Sequence, residues 1–315
     1  MATVQTVLGP VEASALGFTL SHEHIVASIG QDARHYPWAF DWTRTRTQAI
    51  TALRTAKAGG VDTVIDLTTL DLGRDVLLYS ECARASGMQV VVATGIWLDV
   101  PRSVMERDID ATAAIFAREI EVGIGRTDIR AGVIKVATDV QGIGEPQERV
   151  LRAAARASMR TGCPISTHHR ANLEQGTEQV RIFREEGVQM DRVCIGHSND
   201  TTDVAYLESL LHAGVYLSMD HYPGRPGRLS WQERNEVLRT LIAHGWAHRL
   251  MLGHDASAAR PVSELWPHVI DEYNPDGMLF LSRVGLPALI ASGVAQSDID
   301  TMMREAPRAF LSGVG

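Results

Sequence analysis

Two histidines spaced one residue apart, in the triplet His22-Glu23-His24, follow the apolar run Leu16-Gly17-Phe18-Thr19-Leu20. If that run is a strand, residues two apart face the same side, and both imidazoles project together from a rigid backbone. Paired imidazoles can hold one metal ion. Glu23 would point the other way, which suits a structural role. An isolated His-x-His also occurs among ordinary surface and core histidines, so the metal reading depends on what the rest of the chain supplies.

The elements that must position these residues are legible as an alternation of short apolar runs and amphipathic stretches. Candidate strands fall at 18–22, 61–67, 89–94, 131–136, 164–168, 192–197, 215–220 and 249–253. Candidate helices fall between them at 47–58, 75–85, 108–122, 146–160, 174–186 and 203–213, followed by a helical tail from about residue 265. Gly87 and Gly162 each follow a candidate helix, where a left-handed C-terminal cap is wanted. Strand alternating with helix implies a parallel sheet. Eight such units within 315 residues imply a closed α/β (β/α)8 TIM barrel, with residues 1–315 forming a single domain. The alternative, an open doubly wound sheet, would want a Gly-x-Gly-x-x-Gly after the first strand, and there is none.

Composition narrows the function classes. The formal net charge is -8, which speaks against sequence-independent nucleic-acid binding, a property that depends on basic patches. The three cysteines, Cys82, Cys163 and Cys194, are too sparse for a disulfide framework and fit a reducing compartment. The N-terminus carries no basic start followed by a long apolar stretch, and no apolar run is long enough to span a bilayer. A cytoplasmic protein acting on a small molecule, without a membrane or nucleic-acid partner, is the expectation.

In a barrel the active site lies at the C-terminal ends of the strands. Those ends are consistently polar here: His22-Glu23-His24, Lys135, Ser166-Thr167-His168-His169, His197-Ser198-Asn199-Asp200, Asp220-His221 and His254-Asp255. Each has a plain structural reading. Lys135 could snorkel to the rim, His168 or His197 could be a core histidine, and Asp255 could cap a helix. Their coincidence at six strand ends favours a shared purpose. Four imidazoles (His22, His24, His168, His197) and one carboxylate (Asp255) can hold two divalent ions. An ammonium would repel both ions, so Lys135 fits only if modified or deprotonated. Reaction with carbon dioxide would make it an anionic carbamate able to bridge two metals. Alternatively, a neutral Lys135 could act as a base or Schiff-base nucleophile.

These residues, with the stretches Thr19-Leu20-Ser21-His22-Glu23-His24, Arg130-Ala131-Gly132-Val133-Ile134-Lys135-Val136-Ala137-Thr138, Val193-Cys194-Ile195-Gly196-His197-Ser198 and Asn274-Pro275-Asp276-Gly277-Met278, resemble the phosphotriesterase family of the amidohydrolase superfamily. The resemblance runs from Gly9-Pro10 to near the C-terminus. It implies that His22, His24 and Asp255 hold the more buried metal and His168 and His197 the more exposed one. Carbamylated Lys135 and a hydroxide would bridge the pair. His168, not His169, is the implied ligand, because it occupies the family's Pro-x-x-Thr-His position. Asp200 and His221 match a proton relay leading outward from Asp255. Zinc suits a histidine-rich site, with cobalt, manganese or iron as alternatives. The family often forms homodimers.

The shared machinery would serve lactone opening and phosphotriester cleavage alike, so walls and loops must choose. Trp97, Tyr222 and Met278 are the expected substrate-binding residues, with Tyr222 facing the mouth. The loop after the seventh strand is short, which resembles lactonases. Trp97 and the Asp220-His221 pair look more like phosphotriesterases, and the loop at 256–262 lacks the extended form of lactonases. The expectation is a lactonase acting on N-acyl-homoserine or related lactones, with side activity on aryl phosphotriesters. A true phosphotriesterase and a non-catalytic ligand-binding barrel are the alternatives.

Overall fold

The computed structural model describes residues 2–28, 32–265 and 274–313. The chain opens with an antiparallel hairpin of β1 (Thr3–Thr6) and β2 (Gly9–Glu12). Eight strands follow in turn: β3 (Thr19–Val26), β4 (Thr63–Asp66), β5 (Gln89–Gly95), β6 (Val133–Ala137), β7 (Ile165–His168), β8 (Val193–Ile195), β9 (Tyr216–Met219) and β10 (Leu250–Leu252). Each pairs in parallel with its sequence neighbour. The strand–helix alternation therefore builds the expected TIM barrel.

Closure differs from expectation. The stretch 256–262, read from sequence as a loop, contains a further strand, β11 (Ala256–Ala259), which pairs in parallel with β3. β10 and β11 occupy opposite ends of the sheet order, yet only Gly253-His254-Asp255 separates them along the chain. They are two halves of one kinked strand, and the kink closes the ring. The Asp255 N–H donates to the His22 carbonyl at 3.0 Å across the seam. Asp255 itself is left-handed at φ 53°. The hairpin β1–β2 was likewise not foreseen. It packs Val4 with interior barrel residues such as Ile65 and Val91.

Period-two alternation divides the strand residues. Val64, Val90, Ile134 and Leu250 face the helices, whereas Ile65, Val91, Val133 and Met251 fill the barrel. Lys135, two residues after Val133, therefore points inward. In β3 the helix-facing residues switch from Leu20 to Ile25, an odd spacing, and the β3–β4 register shifts between Leu20 and Glu23. Such an irregularity re-aims side chains. It turns His22 and His24 into the barrel and Glu23 away.

Helix ends follow local chemistry. Asp75, Asp108 and Asp203 accept amide hydrogens of the first turns, and Ser230 forms a reciprocal capping box with Glu233. Gly87 and Gly162 close their helices at φ 71° and 72°. Beyond Asp276 the chain is helical, with segments at Leu286–Ala291, Gln296–Asp300 and Ala306–Ser312. Residues 266–273 of the expected tail lie outside the described residues. No helix among the described residues is long and apolar enough to cross a membrane.

Gly95 carries the tightest constraint near the barrel mouth. It pairs with Lys135 at φ 112°, and a β-carbon there would collide with the Lys135 carbonyl. Gly87 has open space around its missing β-carbon. Gly95→Ala should therefore destabilise the fold by about 3 kcal/mol and Gly87→Ala by only about 1 kcal/mol. Urea unfolding of the two variants checks this, and equal costs would contradict it.

Candidate metal centre

The strand ends converge on one cavity of about 470 Å³, whose wall includes His22, His24, Lys135, His168, His197 and Asp255. The structure thus brings together every residue expected from the sequence as a metal ligand. His22 meets His24 with ring centroids 5.2 Å apart and His197 at 5.1 Å. His168 lies 4.4 Å from His197. Lys135 is 1% exposed, and its ammonium donates to the Thr167 carbonyl at 3.2 Å.

The imidazoles are aimed by partners at their rear. His22 Nδ1 lies 2.8 Å from Asp220 Oδ2, and His197 Nδ1 lies 3.0 Å from Asp220 Oδ1. Asp220 also accepts the His197 N–H at 2.7 Å. A carboxylate at Nδ1 fixes the tautomer that leaves Nε2 with a free lone pair. His24 Nδ1 lies 2.8 Å from the Thr68 hydroxyl, and its Nε2 lies 3.0 Å from Asp255 Oδ1. The Nε2 atoms of His22, His168 and His197 are buried, with no hydrogen-bond partner among the described residues. Buried polar atoms are ordinarily satisfied. Three orphaned imidazole nitrogens around one cavity, beside the Asp255 carboxylate, are the donor set of divalent cations.

Two compact groups of donor atoms overlap at Asp255: one with His22 and His24, the other with His197 and His221. A third, His22, His197 and Asp220, is of a different kind, because Asp220 already bonds the rear nitrogens of both rings. His221 also has both nitrogens engaged. Nδ1 lies 2.8 Å from Asp200 Oδ2 and Nε2 3.1 Å from Asp255 Oδ2. It suits a proton carrier better than a ligand. Arg234, 2% exposed, anchors the outer end by donating to Asp200 Oδ1 at 2.8 Å and to the Asn199 carbonyl.

Burial and neighbouring charges act differently on the four imidazoles: burial alone would lower His24, but the Asp255 carboxylate raises it, whereas the other three go down. Burial pushes His22 down to about 3, with Lys135 acting in the same direction, and lowers His168 and His197 as well. Neutral imidazole is the ligating form. Burial brings Lys135 down to about 8, against the pull of Asp220 and Asp255. Burial alone would raise the Asp255 carboxyl, but His22, His221 and His24 outweigh it and hold it well below the usual range. Burial alone would lower His221, but hydrogen bonds to Asp200 and Asp255 raise it to about 9.

The expected substrate contacts fare unevenly. Trp97 lines the cavity, edge-on to His168 at 5.7 Å. Its position is set by Asp71, which accepts the amides of Trp97, Leu98 and Asp99 at 2.9, 3.0 and 3.0 Å. Tyr222 does not face the mouth. It is 1% exposed, donates to Asn235 Oδ1 at 2.9 Å, and stacks near Phe280. Met278, 5% exposed, joins the core rather than the cavity wall. Both side chains turn toward apolar packing behind the rim. His169 also turns away, bonding the Gly196 carbonyl and the Tyr206 hydroxyl. The sequence marks Asp220 only as half of a phosphotriesterase-like pair with His221, and its bonds to His22 and His197 emerge from the structure. Its signal was a carboxylate directly before His221 at the end of an apolar strand. Arg225 and Arg260, unassigned from sequence, line the cavity.

The family model for the phosphotriesterase family matches residues 2–311. The phosphotriesterase homology protein of Mycobacterium tuberculosis is 39% identical over 100% of this chain and 99% of its own length. The aryldialkylphosphatase of Saccharolobus solfataricus is 32% identical over 96% and 97%. The N-acetyltaurine hydrolase of Danio rerio is 25% identical over 98% and 97%. Among solved structures, the phosphotriesterase from Mycobacterium tuberculosis superposes with a TM-score of 0.90 at 38% identity, covering 98% of each chain. A barrel with this donor set and this family match make the chain a hydrolase belonging to the phosphotriesterase family.

Proposed function

We propose that the chain is a binuclear metal-dependent lactonase, acting on N-acyl-homoserine or related lactones with side activity on aryl phosphotriesters. The observation that carries the metal reading is the set of three orphaned Nε2 atoms facing Asp255 and Lys135. His22, His24 and Asp255 would hold one ion, His168 and His197 the other, and carbamylated Lys135 would span them. Burial brings the Lys135 amine down to about 8, so more of it carries the free lone pair that carbamylation requires than an ordinary lysine would. When bound, the ions polarise the substrate oxygen and make water a nucleophile at neutral pH.

The residues around them manage the proton. Asp255 would receive it from the attacking water and pass it across 3.1 Å to the Nε2 of a neutral His221. Because hydrogen bonds to Asp200 and Asp255 raise His221 to about 9, the share of enzyme with that neutral form grows with rising pH. Asp200 stabilises the resulting imidazolium, and Arg234 keeps Asp200 in place. The apolar part of the cavity wall, with Trp97, Phe40, Leu72 and Leu265, suits an acyl chain and excludes water.

Arg225 and Arg260 favour a second reading. In a chain of net charge -8, two guanidinium side chains on the cavity wall suit an anionic substrate tail. The sulfonate in N-acetyltaurine, named for the Danio rerio relative, is one such tail. An ester or amide with an acidic tail would then be the substrate.

Three measurements test these readings. Lys135→Ala should lose most bound metal and at least about 10²-fold in kcat, with partial rescue by short carboxylic acids. Full metal content and full activity in that variant would defeat the bridge. His221→Asn should keep its metal, measured by elemental analysis, and lose about 10²-fold in kcat. On metal-quantified protein, kcat/KM should be higher for acyl-homoserine lactones than for aryl phosphotriesters, and Trp97→Ala should raise KM for long-chain lactones about tenfold. Preference for acidic-tailed amides over all lactones would favour the second reading.

A further inference from the structure

Glu23, the middle residue of the triplet, is fully buried on the side of β3 away from the cavity. Three donors converge on its carboxylate. The His254 N–H reaches Oε1 at 2.9 Å, His254 Nδ1 lies 2.6 Å from the same oxygen, and the Ala256 N–H reaches Oε2 at 3.1 Å. His254 Nε2 in turn accepts the Leu281 N–H at 3.1 Å. Nε2 therefore carries no proton, and Nδ1 must be the donor toward Glu23.

These bonds bracket Asp255 on both sides. Asp255 occupies the left-handed region at φ 53°, at the kink between β10 and β11, a conformation that persists where surroundings over-determine it. Its own N–H is pinned to the His22 carbonyl. This twist is what brings Oδ1 to within 3.3 Å of His22 Nε2 and 3.0 Å of His24 Nε2, and Oδ2 to within 3.1 Å of His221 Nε2.

We infer that Glu23 and His254 form a clasp that positions the Asp255 carboxylate, anchored through Leu281 to the C-terminal helical segment. Glu23 is a positioning residue: its carboxylate bonds His254 and Ala256 and does not line the cavity. The three donors explain the residue type. A glutamine would retain one acceptor oxygen and turn an N–H₂ group toward either His254 or Ala256. Asparagine in place of His254 keeps a donor near the Nδ1 position, whereas leucine keeps none.

The inference rests on the proposed role of Asp255 as a metal ligand. Its test is the rate at which zinc-loaded, full-length protein loses metal to a chelator, read alongside kcat and KM. Glu23→Ala should lose zinc at least tenfold faster than wild type, with kcat reduced and KM little changed, and Glu23→Gln should fall between them. His254→Leu should behave like Glu23→Ala, and His254→Asn, which keeps a donor toward Glu23 but loses the acceptor of the Leu281 N–H, should fall between Glu23→Ala and wild type. Circular dichroism identifies any variant that fails to fold, in which case the Glu23→Gln and His254→Asn arms decide. If wild type keeps zinc and these variants lose it at the wild-type rate, the clasp is wrong. If wild type itself holds no divalent metal, the role of Asp255 fails first, and the clasp falls with it.

Discussion

A carboxylate removed from water needs charged or hydrogen-bonded partners, and Asp220 meets that demand with two imidazoles from opposite parts of the chain. His22 stands 198 residues before it and His197 only 23. Burial would raise the Asp220 carboxyl, yet the two histidines hold it well below the usual range. The anion fixes both rings by their rear nitrogens, so both front nitrogens must face the cavity. Every further property of the site presupposes that alignment. Without it, the Nε2 atoms of His22 and His197 would be free to swing to ordinary partners.

The barrel supplies the rest of the alignment through backbone devices rather than flexible loops. An irregularity in β3 turns His22 and His24 inward together. Close approach at Gly95 admits Lys135 to the interior. His197 and Asp255 both lie just past strand ends with positive φ, at 59° and 53°. Such backbone conformations are maintained by surrounding bonds, and they concentrate where a side chain must be aimed against the run of the strand. The cavity then combines a polar floor of imidazoles with a wall that is partly apolar and partly basic. The floor sets the reaction type, and the wall sets which hydrolysable group enters.

Period and strand-end chemistry made much of this legible from sequence. The eight barrel strands and the convergence of His22, His24, Lys135, His168, His197 and Asp255 follow from apolar runs ending in polar residues. The His221–Asp200 contact also matched a recognisable pattern. What escaped were features set by three-dimensional pairing. β11 was hidden because Ala256-Ser257-Ala258-Ala259 is short and weakly apolar, and it becomes a strand only by pairing with β3. Tyr222 and Met278 follow site residues or family-like text, but which way a rim side chain turns depends on neighbours such as Asn235 and Phe280, distant in the chain. Asp220 was visible as a residue, whereas its grip on two rings required the pairing of β8 with β9 and the ring closure through β10 and β11 that brings β3 near them.

This donor set is proposed to hold two divalent ions side by side in the barrel mouth. Anomalous diffraction from crystals of metal-loaded protein, collected across the metal absorption edge, tests it most directly. Two anomalous peaks are expected inside the cavity, one against His22, His24 and Asp255 and one against His168 and His197, with Lys135 density extending between them. A cavity without anomalous peaks under saturating metal, or peaks confined to other parts of the surface, would contradict it.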